Sequence, residues 1–303
     1  MAAAEPRRPD FFIVGAPKSG TTALYEYLRQ HPQVFMADPK EPNYFGADVE
    51  RRRTPRPSLS QYLSFFAGAG DAKRAGEASV RYLHSRTAAQ EIAEFAPNAR
   101  AIIMLRDPVE MMHAMHGELL YIGAEDIADF GEALAAEDDR RAGHRIPPGA
   151  NKPAALLYRD SARFAEQVER YFEALGRDKV LVLIYDDFRD DTLGTYRRVL
   201  RFLDVDQGFV PRMGVVNPSK QARSRLLTRL IANPPSWMSR IARTLLPPRQ
   251  RKRLFRRALA LNARIAPRSP MDPQLRARLK AEFAPEVRRL GDLIGRDLSA
   301  WSV

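Results

Sequence analysis

The 303-residue chain has no cysteine, which excludes disulfides, zinc–thiolate centres and cysteine nucleophiles. It has no apolar run approaching the ~18 residues that suggest a membrane-spanning helix. The opening MAAAEPRRPD has no apolar stretch before Asp10, so no secretory leader is expected there. Residues 1–10 are read as a disordered extension and the protein as cytoplasmic. No repeat or low-complexity linker divides the chain, and 45% hydrophobic content supplies an ample core. Residues 1–303 are therefore read as one domain. Acid is missing as well: no Asp or Glu occurs from Lys220 to Met271, where arginines alternate with leucines and isoleucines at helical spacing. Residues 217–272 are read as a basic helical segment. With a net charge of +12, it points to an anionic partner.

Buried strands and amphipathic helices alternate through the rest. FFIVGA (Phe11 to Ala16) reads as a strand buried on both faces, followed by a helix from about Gly20 to Gln30. RAGEASVRYL (Arg74 to Leu83) reads as a short strand and turn. A strand ends at Arg106 and Pro108 opens a helix. DKVLVLIYDDF (Asp178 to Phe188) is another buried strand, followed by a helix over about 192–203. A last amphipathic helix spans about 273–294. This alternation predicts an α/β fold of three layers, a central parallel sheet flanked by helices, with the basic helical part near the C-terminus.

One expected residue is out of place. GAPKSGTT, from Gly15 to Thr22, has the glycine spacing of a Walker A loop, with Thr22 at its Ser/Thr position. Thr21 stands where that loop has lysine, and the lysine comes earlier, as Lys18. A strand, a glycine-bounded loop and a helix start still offer backbone N–H groups and a positive dipole to an anion. GAPKSGTTALYEYLRQHPQV resembles the 5′-phosphosulfate loop of sulfotransferases that use PAPS (3′-phosphoadenosine 5′-phosphosulfate). That resemblance implies a P-loop-like fold. It also implies a cradle of Pro17, Lys18, Ser19, Gly20, Thr21 and Thr22, with Lys18 at the bridging oxygen of the leaving phosphate. It implies PAPS as donor, PAP as product and no metal.

IIMLRDPVEMMHAMHGELLY (Ile102 to Tyr121) is similar to the family's second signature, whose arginine binds the 3′-phosphate; here that is Arg106. The serine expected on the following helix falls on Ala114, with His113 and His116 nearby as substitutes or as packing residues. VNPSKQARSRLL suggests Lys220 and Arg223 as a further basic contact. DPKEPNYFG resembles the segment carrying the catalytic glutamate of the carbohydrate-type members. Glu41 is then the base, with Lys40 beside it and Asn43 where a histidine is usual. To act near neutrality, Glu41 needs either a pKa raised by burial or a proton transfer driven by bond formation. The histidine base of the small-molecule members has no counterpart: its lysine and histidine fall on Ala78 and Val80, with His84 four residues out of register.

The resemblance implies sulfuryl transfer to a hydroxyl or amine, on a carbohydrate or lipid-linked acceptor. Other readings stay open: a small-molecule sulfotransferase, or a Mg²⁺-dependent P-loop kinase or NTPase with Asp186 or Asp187 as its carboxylate. The basic segment fits peripheral membrane contact as well as an acceptor groove. No nucleic-acid-binding motif is visible.

Overall fold

The computed structural model describes residues 7–52, 55–214, 220–234, 244, 247–266 and 269–303. A five-stranded parallel sheet in the order β2-β3-β1-β4-β5 forms its centre. The strands are β1 (Phe11–Gly15), β2 (Val34–Met36), β3 (Arg74–Ala78), β4 (Arg100–Leu105) and β5 (Val180–Ile184). All five residues of β1 are buried. Because side chains alternate across a strand, Phe11 and Ile13 enter one apolar cluster while Phe12 and Val14 enter the other. The first cluster is closed by helices α1 (Thr21–Leu28) and α2 (Thr192–Leu203), through Leu24, Leu28, Tyr196 and Leu200. The opposite face is covered by helices that contribute Ile92, Met111, Tyr171, Leu279 and Phe283. Three layers result, as the alternating pattern predicts.

The strand reading from Asp178 to Phe188 is too long. The ladder against β4 ends at Ile184, and Tyr185–Asp190 forms a helix whose apolar Phe188 packs beside Tyr27. β2 is a three-residue edge strand, too short to stand out by its periodicity. The first residues also differ from expectation, because 7–10 are tied down. Arg7 donates to the carbonyls of Gly70 and Lys73, Arg8 to that of Phe95, and Asp10 accepts from the Ala75 amide. The basic C-terminal part is not wholly helical. Helices Arg225–Ala232 and Pro248–Leu261 lie in sequence between the two strands of an antiparallel ribbon, β6 (Lys220–Ala222) and β7 (Ala263–Ile265). The ribbon's three pairs lie beyond what helical spacing of leucines can reveal.

Sheet order fixes the position of the site. From β1 the chain runs outward to β2 and returns to β3. It then crosses to β4 on the other side of β1, so the connections part at the C-terminal end of β1. Such switch points are where open α/β sheets bind ligands. At the same end, β3 carries Glu77, which is wholly buried. Its carboxylate accepts from the hydroxyls of Tyr62 and Tyr82, both at 2.8 Å, and of Ser79 at 2.5 Å. Those hydroxyls reach onward. Ser79 Oγ accepts from the Asn43 amide at 3.1 Å, and Tyr82 Oη from the amides of Tyr44 at 2.8 Å and Phe45 at 3.2 Å. Segment 41–45 therefore hangs from one buried carboxyl.

Burial pushes the Glu77 carboxyl up to about 7, against the three hydroxyl donors that pull it down. A raised carboxyl favours the protonated folded state. Its stabilisation is full below the ordinary value of 4.5 and is lost as pH rises through about 7. That contribution lowers the melting temperature over the interval, opposed by His84 and His116, whose lowered pKa values favour the folded state as pH rises. Removing it in Glu77→Gln should shift the slope of melting temperature against pH toward the positive, as thermal melts at a series of pH values will read. An unchanged slope in Glu77→Gln would assign the pH dependence elsewhere.

Candidate functional site

A cavity of about 940 Å³ opens at the switch point. Its first wall is the loop after β1. Pro17, Lys18, Gly20, Thr21 and Thr22 all line it. Gly20 has φ 89°, and an added Cβ would meet Met104, Tyr185 and Phe188 at 3.2 to 3.3 Å, so glycine is required there. Lys18 also takes the left-handed conformation, φ 60°, which is costly for a lysine, and it lines the cavity. Its Nζ is 3.3 Å from Glu118 Oε2. Helix α1 has no side-chain cap and no acid in its first turn, so its dipole faces the cavity uncompensated by its own residues. Ser19 departs from expectation. Its side chain is buried, and its hydroxyl donates to the Pro17 carbonyl at 3.3 Å, away from the lining.

Arg106 follows β4 and forms the second wall. Its guanidinium lies over the Tyr185 ring, 4.9 Å from the centroid, and 4.0 Å from Glu110. Asp107 does not pair with it. It caps the helix Pro108–Ile122 through the Val109 and Glu110 amides and forms an ion pair with Lys280 at 2.9 Å. Ala114 and His113 line the cavity side by side on that helix. His116 is core. Its ring meets Phe130 and Tyr158, its Nε2 lies 2.9 Å from the Ile127 carbonyl, and burial lowers its pKa.

The ribbon closes the opposite side with Gln221, Ala222, Arg223 and Arg264. Arg264 donates to Gln221 Oε1 at 2.9 Å, and Arg223 Nε to the Ala263 carbonyl at 3.1 Å. The Lys220 side chain lies outside the described residues. Arg264 was not singled out by sequence reasoning, since nothing in an acid-free run distinguishes one arginine from the next.

The third wall comes from residues 38–46. Lys40 and Glu41 line it, 3.4 Å apart. The Glu41 side chain is 37% exposed, and both Glu41 (φ 62°) and Asn43 (φ 52°) are left-handed. Burial alone would raise the Glu41 carboxyl, but Lys40, Lys152 and Arg81 outweigh it and hold the pKa below the usual value. Glu41 is thus ionised at neutrality, and the first of the two routes open to it, a raised pKa, does not apply. Lys152 and Arg81 were missed: one is 111 residues from Glu41 along the chain and the other has no partner at recognisable spacing. Burial pushes His84 down to about 4, and it does not line the cavity. Asp186 bonds Arg189 and Trp301, Asp187 bonds Arg296, and neither lines the cavity. This arrangement does not suit a Walker-type carboxylate.

Residues 9–71 match the profile described as "Sulfotransferase family". The chain is 29% identical over 207 residues to the bifunctional heparan sulfate N-deacetylase/N-sulfotransferase 3 of Homo sapiens, covering 66% of this chain and 22% of that protein. It is 34% identical over 172 residues to carbohydrate sulfotransferase 15 of Homo sapiens, covering 42% of this chain and 30% of that one. The chain thus spans under a third of either relative's length. A solved sulfotransferase from Alicyclobacillus acidocaldarius matches at 30% identity with a TM-score of 0.73, over 98% of this chain and 100% of that one. With that full-length match, and with a phosphate-type cradle at the switch point of its parallel sheet, the chain belongs to the sulfotransferase family.

Proposed function

We propose that the chain transfers a sulfuryl group from PAPS to a hydroxyl or amine of a carbohydrate, free or lipid-linked, by in-line displacement. One observation carries the reading: Lys18, Arg106 and Glu41 line a single cavity at the end of β1. The chemistry of the lining fits the donor. An uncapped helix start and Lys18 suit a 5′-phosphosulfate, and a guanidinium stacked on Tyr185 suits a terminal phosphate. The donor, when bound, supplies an electrophilic sulfur and a phosphate leaving group. Glu41 takes the acceptor proton as the new bond to sulfur forms. Lys18 and the loop amides hold the charge that the departing PAP gains as the sulfur–oxygen bridge breaks. No titratable histidine is required, since Glu41 is already a carboxylate. The carbohydrate acceptor is taken from the relatives, whose names describe action on heparan sulfate and carbohydrate.

We further propose that the basic segment rests on an anionic membrane surface, at the cytoplasmic face. Leu226 (78% exposed), Leu261 (80%) and Ile265 (76%) project from a stretch without acid, the composition of an interfacial surface.

The donor reading predicts that PAP in EDTA raises the melting temperature, by an amount equivalent to ~2.7 kcal/mol at a hundredfold excess over Kd. Stabilisation by MgATP but not by PAP would overturn it. Lys18→Ala should lower turnover more than PAP affinity, because its charge matters most as the leaving group departs; equal losses would make Lys18 a binding residue only.

For the acceptor, labelled sulfate from PAPS should enter a desulfated heparin-type polysaccharide or a glycolipid fraction, and Glu41→Gln should abolish it. Label entering only small phenols, undiminished in Glu41→Gln, would sink both the acceptor class and the base.

For the membrane, the protein should cosediment with vesicles containing phosphatidylserine and not with phosphatidylcholine alone. Leu226→Glu with Leu261→Glu should release it. Binding unchanged in that pair would reduce the contact to simple charge attraction.

A further inference from the structure

A base that works by aim and ionisation needs something to fix both. Two left-handed residues in one short segment do not hold themselves, since each such conformation is costly and persists only when its surroundings over-determine it. Glu41 is held through its backbone. Its amide donates to the Ala78 carbonyl at 3.0 Å, and its carbonyl accepts from Asn43 Nδ2 at 2.6 Å. Asn43 is the hinge of this arrangement, and an asparagine amide can face either way. What selects its orientation is Lys152. The Lys152 ammonium, a donor only, points at Asn43 Oδ1 from 2.9 Å. Oδ1 must face the ammonium, so Nδ2 faces the Glu41 carbonyl.

Lys152 approaches from the opposite side of the chain, just before the 3₁₀ turn Pro153–Leu156, and it does not line the cavity. It is poorly exposed, and the groups facing it are Glu41, Arg81, Arg51 and Lys40, besides Asn43. Glu41 is the one acid in that set, so the electrostatic interaction that favours an ammonium there is the Glu41 carboxylate.

We propose that Lys152 is a positioning residue of the transfer site: it orients the Asn43 amide that holds the Glu41 turn, and it sets a cation against the Glu41 carboxylate from behind the wall. The inference rests on Glu41 being the base. Burial also pushes the Lys152 ammonium down to about 8, helped by Arg81, Arg51 and Lys40 and opposed by Glu41. Above that pH the cation is lost, so Lys152 supplies an alkaline limit to turnover that Glu41, already ionised, does not.

The experiment follows the carboxylates of the full-length chain by ¹³C NMR, with the Glu41 signal assigned by Glu41→Gln. Lys152→Met and Lys152→Arg are compared with the wild type. Lys152→Met should raise the Glu41 titration midpoint, while Lys152→Arg should leave it near its wild-type position. Transfer from PAPS to a desulfated heparin-type polysaccharide should fall by about tenfold or more in kcat for Lys152→Met, with PAP affinity unchanged. Lys152→Arg should recover most of that loss and move the alkaline limb from about 8 to higher pH. A Glu41 midpoint unmoved in Lys152→Met overturns the proposal. So does equal loss of turnover in both variants, which would mean a role in shape alone. The two readings fail separately. Full activity in Glu41→Gln removes the base, whereas an inactive Glu41→Gln beside a fully active Lys152→Met removes only Lys152. The NMR titration needs no donor or acceptor, so it decides the coupling even if no transfer is detected.

Discussion

One wall of the cavity depends on a carboxyl that no solvent reaches. Glu77 gathers three hydroxyls at the end of β3, and two of them pass the restraint on to the backbone of residues 43–45. A buried polar group is costly unless all its bonds are made, and then it specifies one arrangement. Here the specified arrangement is the third wall of the cavity. The sheet supplies the other two walls without comparable effort, because loops after adjacent parallel strands meet at a switch point by topology alone.

The parts of the fold visible in the sequence are those with a strong local cause. The continuous apolar run of β1, the glycines at 15 and 20, and Pro108 at a helix start each dictate a conformation by themselves. Helices Thr192–Leu203 and Pro273–Ile294 fall where their periodicity puts them. What escaped notice has causes that are distant in the chain. β2 exists because β3 offers it an edge. The β6–β7 ribbon pairs residues more than forty positions apart, and no spacing rule spans that gap.

The site divides along the same line. Lys18, Arg106 and Glu41 were legible because motif residues carry their neighbours with them. Lys152, Arg81 and Arg264 were not, being single cations brought in by folding. Ser19 shows the converse. Its motif position suggested a ligand contact, yet its hydroxyl serves the loop's own carbonyl. The direction of the Glu41 shift was also beyond the sequence, since it is decided by the sum of three cations from three segments against burial.

Each cation that lines the cavity at a motif position arrives with a resident anion: Lys18 with Glu118, Lys40 with Glu41, Arg106 with Glu110. A polyanionic ligand engaging these three takes over cations that already have a partner, so each ion pair formed there is offset by one that must break. Arg223 and Arg264 on the ribbon, by contrast, offer charge bonded to a carbonyl and an amide oxygen. Affinity is therefore tempered while discrimination is kept, because only a ligand able to replace several carboxylates at once benefits from the exchange. Glu118 lines the cavity, so its carboxylate would face an anion bound at Lys18, whereas Glu110 keeps Arg276 as a second partner. A cavity stocked with its own counter-ions exchanges partners on binding rather than simply adding them.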